Sequence, residues 1–213
     1  FSRHDSGTRA HQAARMKPSR HIELITETYP PDVNGVAFTV RALEQAWCLT
    51  ANRWGARQAV RAYFRIISRL GDGAFWYALM SILALCDGWR GLGAAAHMAV
   101  VGGISALLYR RLKRWTRRPR PFAADGRIQP WVAPLDEYSF PSGHTLHAVC
   151  FSLVALAWYP SLLWLLLPFS LSVAVSRVVL GMHYPSDVFA ASFIGSALAS
   201  ASLWLLPGIT LLG

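Results

Sequence analysis

Eleven residues of this 213-residue chain have the types and the order needed to work on a phosphate ester. Lys113 is followed at K-x6-R-P spacing by Arg120 and Pro121, Pro141-Ser142-Gly143-His144 makes a compact turn, and Ser176, Arg177, His183 and Asp187 follow as S-R-x5-H-x3-D. Cleaving such an ester requires a nucleophile, a proton for the departing oxygen, and positive charge to meet the equatorial oxygens of the transferring group. His183 and Asp187 stand four apart across Tyr184-Pro185-Ser186, and Pro185 suits the first turn of a helix. An Asp there can reach back to one imidazole nitrogen, fix the tautomer and leave the other nitrogen free to attack. His144 follows Ser142 and Gly143 at a predicted helix start, where unpaired N–H groups and the helix dipole favour an anion and Gly143 allows close backbone approach. Lys113, Arg120 and Arg177 supply the positive charge, Arg in bidentate fashion and Lys as a point charge. No acidic cluster suited to Mg²⁺ is visible in the sequence, so metal-independent, cofactor-free chemistry is expected. His147, one turn beyond His144, and His97 are read as structural.

Taken together, the three blocks resemble the signature of the type 2 phosphatidic acid phosphatase family, to which the vanadium haloperoxidases also belong. All eleven fixed positions are present in order, and the resemblance covers roughly residues 70 to 206. It implies that His183 is the nucleophile and becomes phosphorylated, that Asp187 orients it, and that His144 is the general acid for the leaving group. It also implies that Ser142 and the Gly143 N–H hold phosphate oxygens beside a clamp of Lys113, Arg120 and Arg177. Arg118-Pro119 is a second Arg-Pro pair, at K-x4-R-P spacing. Only Arg120-Pro121 fits the family interval, so Arg117 and Arg118 are expected to contact headgroups or solvent.

The elements that must position these residues are written in the charge pattern. The chain is 54% hydrophobic and only 15% charged, with nine Trp, which is unusual for a soluble fold. No Asp, Glu, Lys or Arg occurs from Tyr138 to Ser176 or from Val188 to Gly213, whereas residues 110–127 carry eight Arg or Lys against one Asp. Membrane spans separated by a basic loop give that pattern. The predicted fold is all-α, an integral-membrane bundle of about five or six transmembrane helices. Its spans are Ala74–Cys86, short for a bilayer that needs about 20 residues, then Gly91–Tyr109, 143–158, 161–177 and 188–206. Trp158-Tyr159-Pro160-Ser161 makes the turn between the third and fourth, Pro168 is expected to bend the fourth, and Pro207-Gly208 stops the last. Members of the resembled family usually carry six spans, so the first is either missing or replaced upstream.

Upstream, Arg53, Arg57, Arg61, Arg65 and Arg69 recur every four residues, an amphipathic helix whose basic stripe either lies on anionic headgroups or is a solvated face. Gly71-Asp72-Gly73 is expected to end it. Residues 21–46 read as a strand, a Pro-Pro and Asn-Gly loop and the start of a helix, similar to the opening of a retaining glycosyltransferase whose remaining lobe is absent. Residues 1–20 are polar and non-periodic, Phe1 is read as a fragment boundary, and Met16 is a candidate start. The expected organisation is therefore an N-terminal extension, 1–52, dispensable because it holds none of the motif positions, and a membrane-embedded domain, 53–213. Cys48, Cys86 and Cys150 lack C-x-x-C spacing and are read as free packing residues. Residues 122–140 make either an interfacial loop over a lipid headgroup or an ordinary connection.

A net charge of +10 would suggest nucleic acid, but the densest basic cluster is the one holding Lys113 and Arg120, and no nucleic-acid motif accompanies it. The resemblance and the apolar spans together imply a membrane phosphatase acting on a lipid phosphate or isoprenoid diphosphate. Phosphatidate, phosphatidylglycerol phosphate and undecaprenyl diphosphate stay open as substrates. Vanadate-dependent haloperoxidation is the alternative in a second enzyme class, and a non-enzymatic membrane protein a third, which leaves the motif cations and histidines without a purpose. The family implies a multi-pass protein of the cytoplasmic membrane with an extracytoplasmic site. The positive-inside rule argues the other way, but several of the basic residues are committed to phosphate. Oligomeric state is not encoded in these motifs.

Overall fold

The computed structural model describes residues 31–205. Among the described residues eight α-helices follow one another: α1 (Pro31–Gly55), α2 (Gln58–Arg69), α3 (Phe75–Cys86), α4 (Gly88–Thr116), the single turn α5 (Pro121–Ala124), α6 (Gly143–Trp158), α7 (Leu163–Val179) and α8 (Pro185–Leu205). The apolar runs of the sequence are the helices, because a backbone in hydrocarbon must satisfy its own hydrogen bonds. Among the described residues Gly88–Ala124, Pro160–Val179 and Pro185–Leu205 are long and apolar enough to cross a membrane, and Gly143–Trp158 is a shorter apolar helix. Outside them stand large apolar side chains, among them Leu107, Trp164, Phe189, Phe193 and Trp204, all exposed. An outward-facing apolar surface of this extent requires a bilayer around it.

Helix α6 is the axis of the bundle and packs against α4, α7 and α8, while α3 pairs with α4, α2 lies on α7, and α1 leans on α7 and α8. The core around α6 holds Trp76, Met98, Leu146, Val154, Leu166, Phe169 and Val173. Contact between α6 and α8 depends on Gly195, where an added Cβ would stand 3.0 Å from the Leu146 carbonyl oxygen. Small residues at such crossings let helices approach in lipid, where dispersion rather than water drives association.

The structure departs from the sequence reading upstream of α4. Asn34 and Gly35, expected in a loop, lie in α1, and the expected strand before them falls outside the described residues. The boundary drawn after residue 52 falls inside α1, whose residues Glu44, Cys48 and Asn52 are all buried at four-residue spacing. Asn52 donates to the carbonyls of Gln129 and Val179 at 2.9 and 3.1 Å and accepts from Gln129 N at 2.9 Å, so α1 is stitched to the membrane domain. Helix α2 ends at Arg69, and Gly71-Asp72-Gly73 follows it as a wide, kinked turn into α3, with Gly73 at φ 140°. Of the α2 stripe, Arg61 stacks over the Trp131 ring at 4.7 Å and Arg65 Nε donates to the Trp131 carbonyl at 2.8 Å. Those two arginines therefore hold the 125–140 loop. Helix α7 passes through Pro168, and the three cysteines are free, with Cys86 exposed rather than packed.

Candidate active site

The antiparallel course of the spans brings the end of α4, the start of α6, the end of α7 and the start of α8 to one end of the bundle. Lys113 stands in the last turn of α4, which Arg117 stops by adopting φ 47°. The chain then turns through Arg120, whose Pro121 begins α5. Arg177 closes α7, and a turn with Gly181 at φ 75° carries His183 to the mouth of α8. Gly181 has no room for a side chain, since a Cβ would meet Gln129 O at 2.7 Å. The three motif blocks, far apart in sequence, thus line one cavity of about 790 Å³ that holds Lys113, Arg120, His144, Arg177 and His183.

His183 is buried with its two nitrogens in different company. Nε2 lies 3.5 Å from Arg120 Nη1, while Nδ1 faces Asp187 Oδ2 at 3.7 Å and has no other partner among the described residues. Burial pushes the imidazole well below its ordinary range, and the charges of Arg177, Arg120 and Lys113 push it further. His183 is therefore neutral near pH 7, with Nε2 unprotonated when Nδ1–H faces the carboxylate. Asp187 Oδ2 accepts from Tyr184 N at 2.8 Å, so the carboxylate caps α8 as it faces the imidazole.

His144, in the first turn of α6, has Nε2 3.5 Å from Asp72 Oδ1, which reaches the cavity from the kink before α3. Leu146 N closes the first turn onto Ser142 O at 3.0 Å, and Thr145 N is taken by Ser142 Oγ at 3.4 Å. The N–H groups of Gly143 and His144 thus stand at the helix start without intrahelical acceptors, aimed where an anion is favoured. The Ser142 hydroxyl is engaged in this cap and pairs with Thr145 Oγ1 at 2.9 Å, so in this state it serves the helix rather than the cavity. His97 lies outside the site, between Trp158 and Ser202, whereas His147 forms part of the cavity wall, stacked on Phe151.

Side chains with no place in the motifs complete the site. Asp136 from the 125–140 loop accepts from Lys113 Nζ at 2.6 and 2.8 Å and from Arg120 Nη2 at 2.6 Å. Burial raises the Asp136 carboxyl, but the hydrogen bond and charge of Lys113, with Arg120, outweigh it and leave it below the usual carboxylate range. Ser68 of α2 accepts from Arg177 Nη1 at 2.5 Å. Arg118, expected at headgroups or solvent, instead binds Asp187 Oδ1 at 2.7 Å and Glu44 Oε2 at 2.6 Å. Arg117 is exposed, as expected. Nothing in the spacing of Asp136 or Asp72 marks them, but Glu44, Cys48 and Asn52 at four-residue intervals were a readable sign that α1 has a buried face.

A helical membrane bundle that gathers three cations and two imidazoles around one cavity, with a carboxylate behind one imidazole, has the charge to hold a phosphate-like anion and the groups to offer it a nucleophile and a proton. The PAP2 superfamily model matches residues 91–210, and the chain belongs to that superfamily. Phosphatidylglycerophosphatase B of Escherichia coli is 38% identical over 77 residues, 32% of this chain and 29% of that protein. Decaprenylphosphoryl-5-phosphoribose phosphatase of Mycolicibacterium smegmatis is 32% identical over 140 residues, 62% of this chain and 71% of that protein. The match thus spans less than a third of the first relative and about seven tenths of the second. A crystal structure of a transmembrane PAP2 type phosphatidylglycerolphosphate phosphatase from Bacillus subtilis superposes with a TM-score of 0.66 at 26% identity, covering 80% of this chain and 88% of that one.

Proposed function

We propose that the protein is an integral-membrane phosphatase that hydrolyses a lipid phosphate or isoprenoid diphosphate through a phosphohistidine intermediate. The observation that carries this is His183, backed by Asp187 at 3.7 Å, with Nε2 3.5 Å from Arg120 Nη1 in a cavity that Lys113 and Arg177 also line. In the first step Nε2 attacks phosphorus, the bond to the leaving oxygen breaks, and His144 gives that oxygen a proton. Asp72 at 3.5 Å supports the imidazolium that must do so. In the second step water attacks the phosphorus, the P–N bond breaks, and His144 takes the water's proton, returning both histidines to their starting states. The cations and the Gly143 and His144 N–H groups meet the equatorial oxygens throughout.

A lipid substrate is supported by the shape of the cavity, which continues from its cationic end along Trp76, Tyr77, Met80, Gly102, Gly103 and Phe151 into the apolar part of the bundle. The similar proteins bear names that refer to a phosphatidylglycerol phosphate and to a decaprenyl phosphoribose phosphate, lipids that share a phosphate monoester. Haloperoxidation is disfavoured by the lipid-facing exterior. An extracytoplasmic site in the cytoplasmic membrane is our reading, supported by three of the eight basic residues of 110–127, Lys113, Arg118 and Arg120, being engaged with Asp136, Asp187 and Glu44 at the site.

Phosphate release by protein purified in detergent, from phosphatidate, phosphatidylglycerol phosphate and undecaprenyl diphosphate, tests the reading. Release from at least one, unaffected by EDTA and lost in His183→Ala, is expected. A folded wild-type protein that releases phosphate from none, or that oxidises halide with vanadate, refutes it. Sidedness is read by impermeant thiol labelling of Ala124→Cys in a Cys86→Ala background, since both positions are exposed. Labelling only after lysis reverses the assignment.

A further inference from the structure

We propose that Arg118 is a positioning residue for the His183–Asp187 pair, and that Glu44 of α1 holds Arg118 in place. The inference rests on the phosphatase reading above. Arg118 lies two residues before the clamp residue Arg120, yet its guanidinium turns away from the cavity. Nη1 donates to Asp187 Oδ1 and to Ser186 Oγ, each at 2.7 Å, and Nη2 to Glu44 Oε2 at 2.6 Å, with the guanidinium lying over the Tyr184 ring at 4.2 Å. Asp187 is fully buried, so its charge stands only with a partner. One of its oxygens is taken by Arg118 and the other by Tyr184 N at 2.8 Å, and that second oxygen is the one facing His183. The carboxylate is thus held through one oxygen by Arg118 Nη1 and through the other by Tyr184 N, and Glu44 on Nη2 fixes the plane of the guanidinium that does so.

Glu44 completes the arrangement from a helix outside the family match. Its other oxygen accepts from Ser186 N at 3.3 Å in the first turn of α8, and the residue is 8% exposed. Along the same face of α1, Cys48 packs with Tyr184 and Ile128, and its Sγ lies 3.9 Å from the His183 carbonyl. Charges therefore alternate from Glu44 through Arg118 and Asp187 to His183. A residue that only stiffened the fold would not transmit charge to the imidazole, whereas this chain does so with a sign fixed by position. Removing Arg118 takes away a positive charge that offsets Asp187, so an ionised Asp187 makes His183 easier to protonate. Removing the charge of Glu44 leaves Arg118 uncompensated and makes His183 harder to protonate.

The test compares wild type, Arg118→Gln, Arg118→Lys, Glu44→Gln and the double variant Arg118→Gln/Glu44→Gln in detergent, with p-nitrophenyl phosphate as substrate and vanadate as inhibitor. Loss of the outer partner that orients a metal-ligating histidine costs about 10–100-fold, and by the same orienting logic Arg118→Gln should lower kcat by about tenfold or more. Its KM and vanadate inhibition should stay within about threefold, because the clamp is untouched. The acid limb of kcat/KM should move to higher pH in Arg118→Gln, to lower pH in Glu44→Gln, and back toward wild type in the double variant. Arg177, Arg120, Lys113 and, from α6, His144 also face His183 and are the same in every protein. Arg118→Lys keeps the charge without the fork and should recover part of the rate. Thermal melts identify any variant that fails to fold, in which case Arg118→Lys and Glu44→Gln carry the comparison.

A folded Arg118→Gln with kcat within about twofold of wild type, a loss expressed in KM and vanadate affinity alone, or acid limbs that do not move would each overturn the proposal. Wild type that releases phosphate neither from p-nitrophenyl phosphate nor from any of the three lipids would overturn the phosphatase reading and this proposal with it, and a wild type active on a lipid alone is compared with the variants on that lipid. Wild type active with an unaffected Arg118→Gln overturns this proposal alone.

Discussion

Replacing Asp136 with Asn should tighten the binding of vanadate and inorganic phosphate. The carboxylate of Asp136 holds Lys113 Nζ at 2.6 and 2.8 Å and Arg120 Nη2 at 2.6 Å, so an incoming phosphate must displace it from two of the three clamp cations. Hydrogen bonds between charged groups are worth about 1.5–3 kcal/mol when sheltered, and exposed ion pairs about 0.2–1 kcal/mol. The Asp136 side chain is 39% exposed, which places the displaced interaction toward the lower of these ranges. A total of about 1–2 kcal/mol corresponds to roughly 5–30-fold in affinity. Asn keeps the size of the side chain and the backbone carbonyl that accepts from Arg120 Nε at 3.0 Å, so Arg120 stays oriented. Competitive inhibition of p-nitrophenyl phosphate hydrolysis by vanadate and by phosphate measures the change, and added salt should narrow the gap between the two proteins. Unchanged or weaker inhibition in a folded Asp136→Asn protein would refute the reasoning. Asp136 would then hold the cations in place for substrate rather than compete with it.

The two motif histidines should fail differently. His183→Ala should abolish turnover of every substrate yet keep vanadate binding, whereas His144→Ala should lose about 10²–10⁴-fold on an alkyl phosphate and less on an aryl phosphate, whose oxygen departs with little help. Equal damage on both substrates in His144→Ala, with aryl activity surviving in His183→Ala, would reverse the roles. Because burial and three cations depress His183, the rate should fall on acidification only as pH drops through a value below the ordinary imidazole pKa of 6.5, which the acid limb of kcat/KM reports. An acid limb above that value would contradict the site electrostatics. Asn52→Ala removes three hydrogen bonds that join α1 to the 125–140 loop and α7, and buried groups left unpaired cost about 1–3 kcal/mol, so its thermal midpoint should fall. A chain starting at Arg53 loses Glu44, Cys48 and Asn52 together and should lose turnover, where a dispensable extension would keep it.

What the sequence determined by itself was the apolar helices and the family. A bilayer demands long uncharged runs and satisfied backbones, so the stretches after Tyr138 and Val188 announce α6, α7 and α8 without reference to any neighbour. The motif residues were equally legible, since their chemistry fixes their types, and their spacing along one turn or loop fixes their order. Tertiary structure alone decided the partners. Asp136 reaches Lys113 across 23 residues and Glu44 reaches Arg118 across 74, separations at which spacing carries no periodic signal. The short local pattern at the start of α1 resembled another fold, and although Glu44, Cys48 and Asn52 mark one face at four-residue spacing, only the packing of α7 and α8 shows what that face covers. Arg118 shows the division most clearly. Its charge and its place before Arg120 are in the sequence, but whether a guanidinium turns toward a phosphate or toward a buried carboxylate depends on which one the fold leaves unpaired.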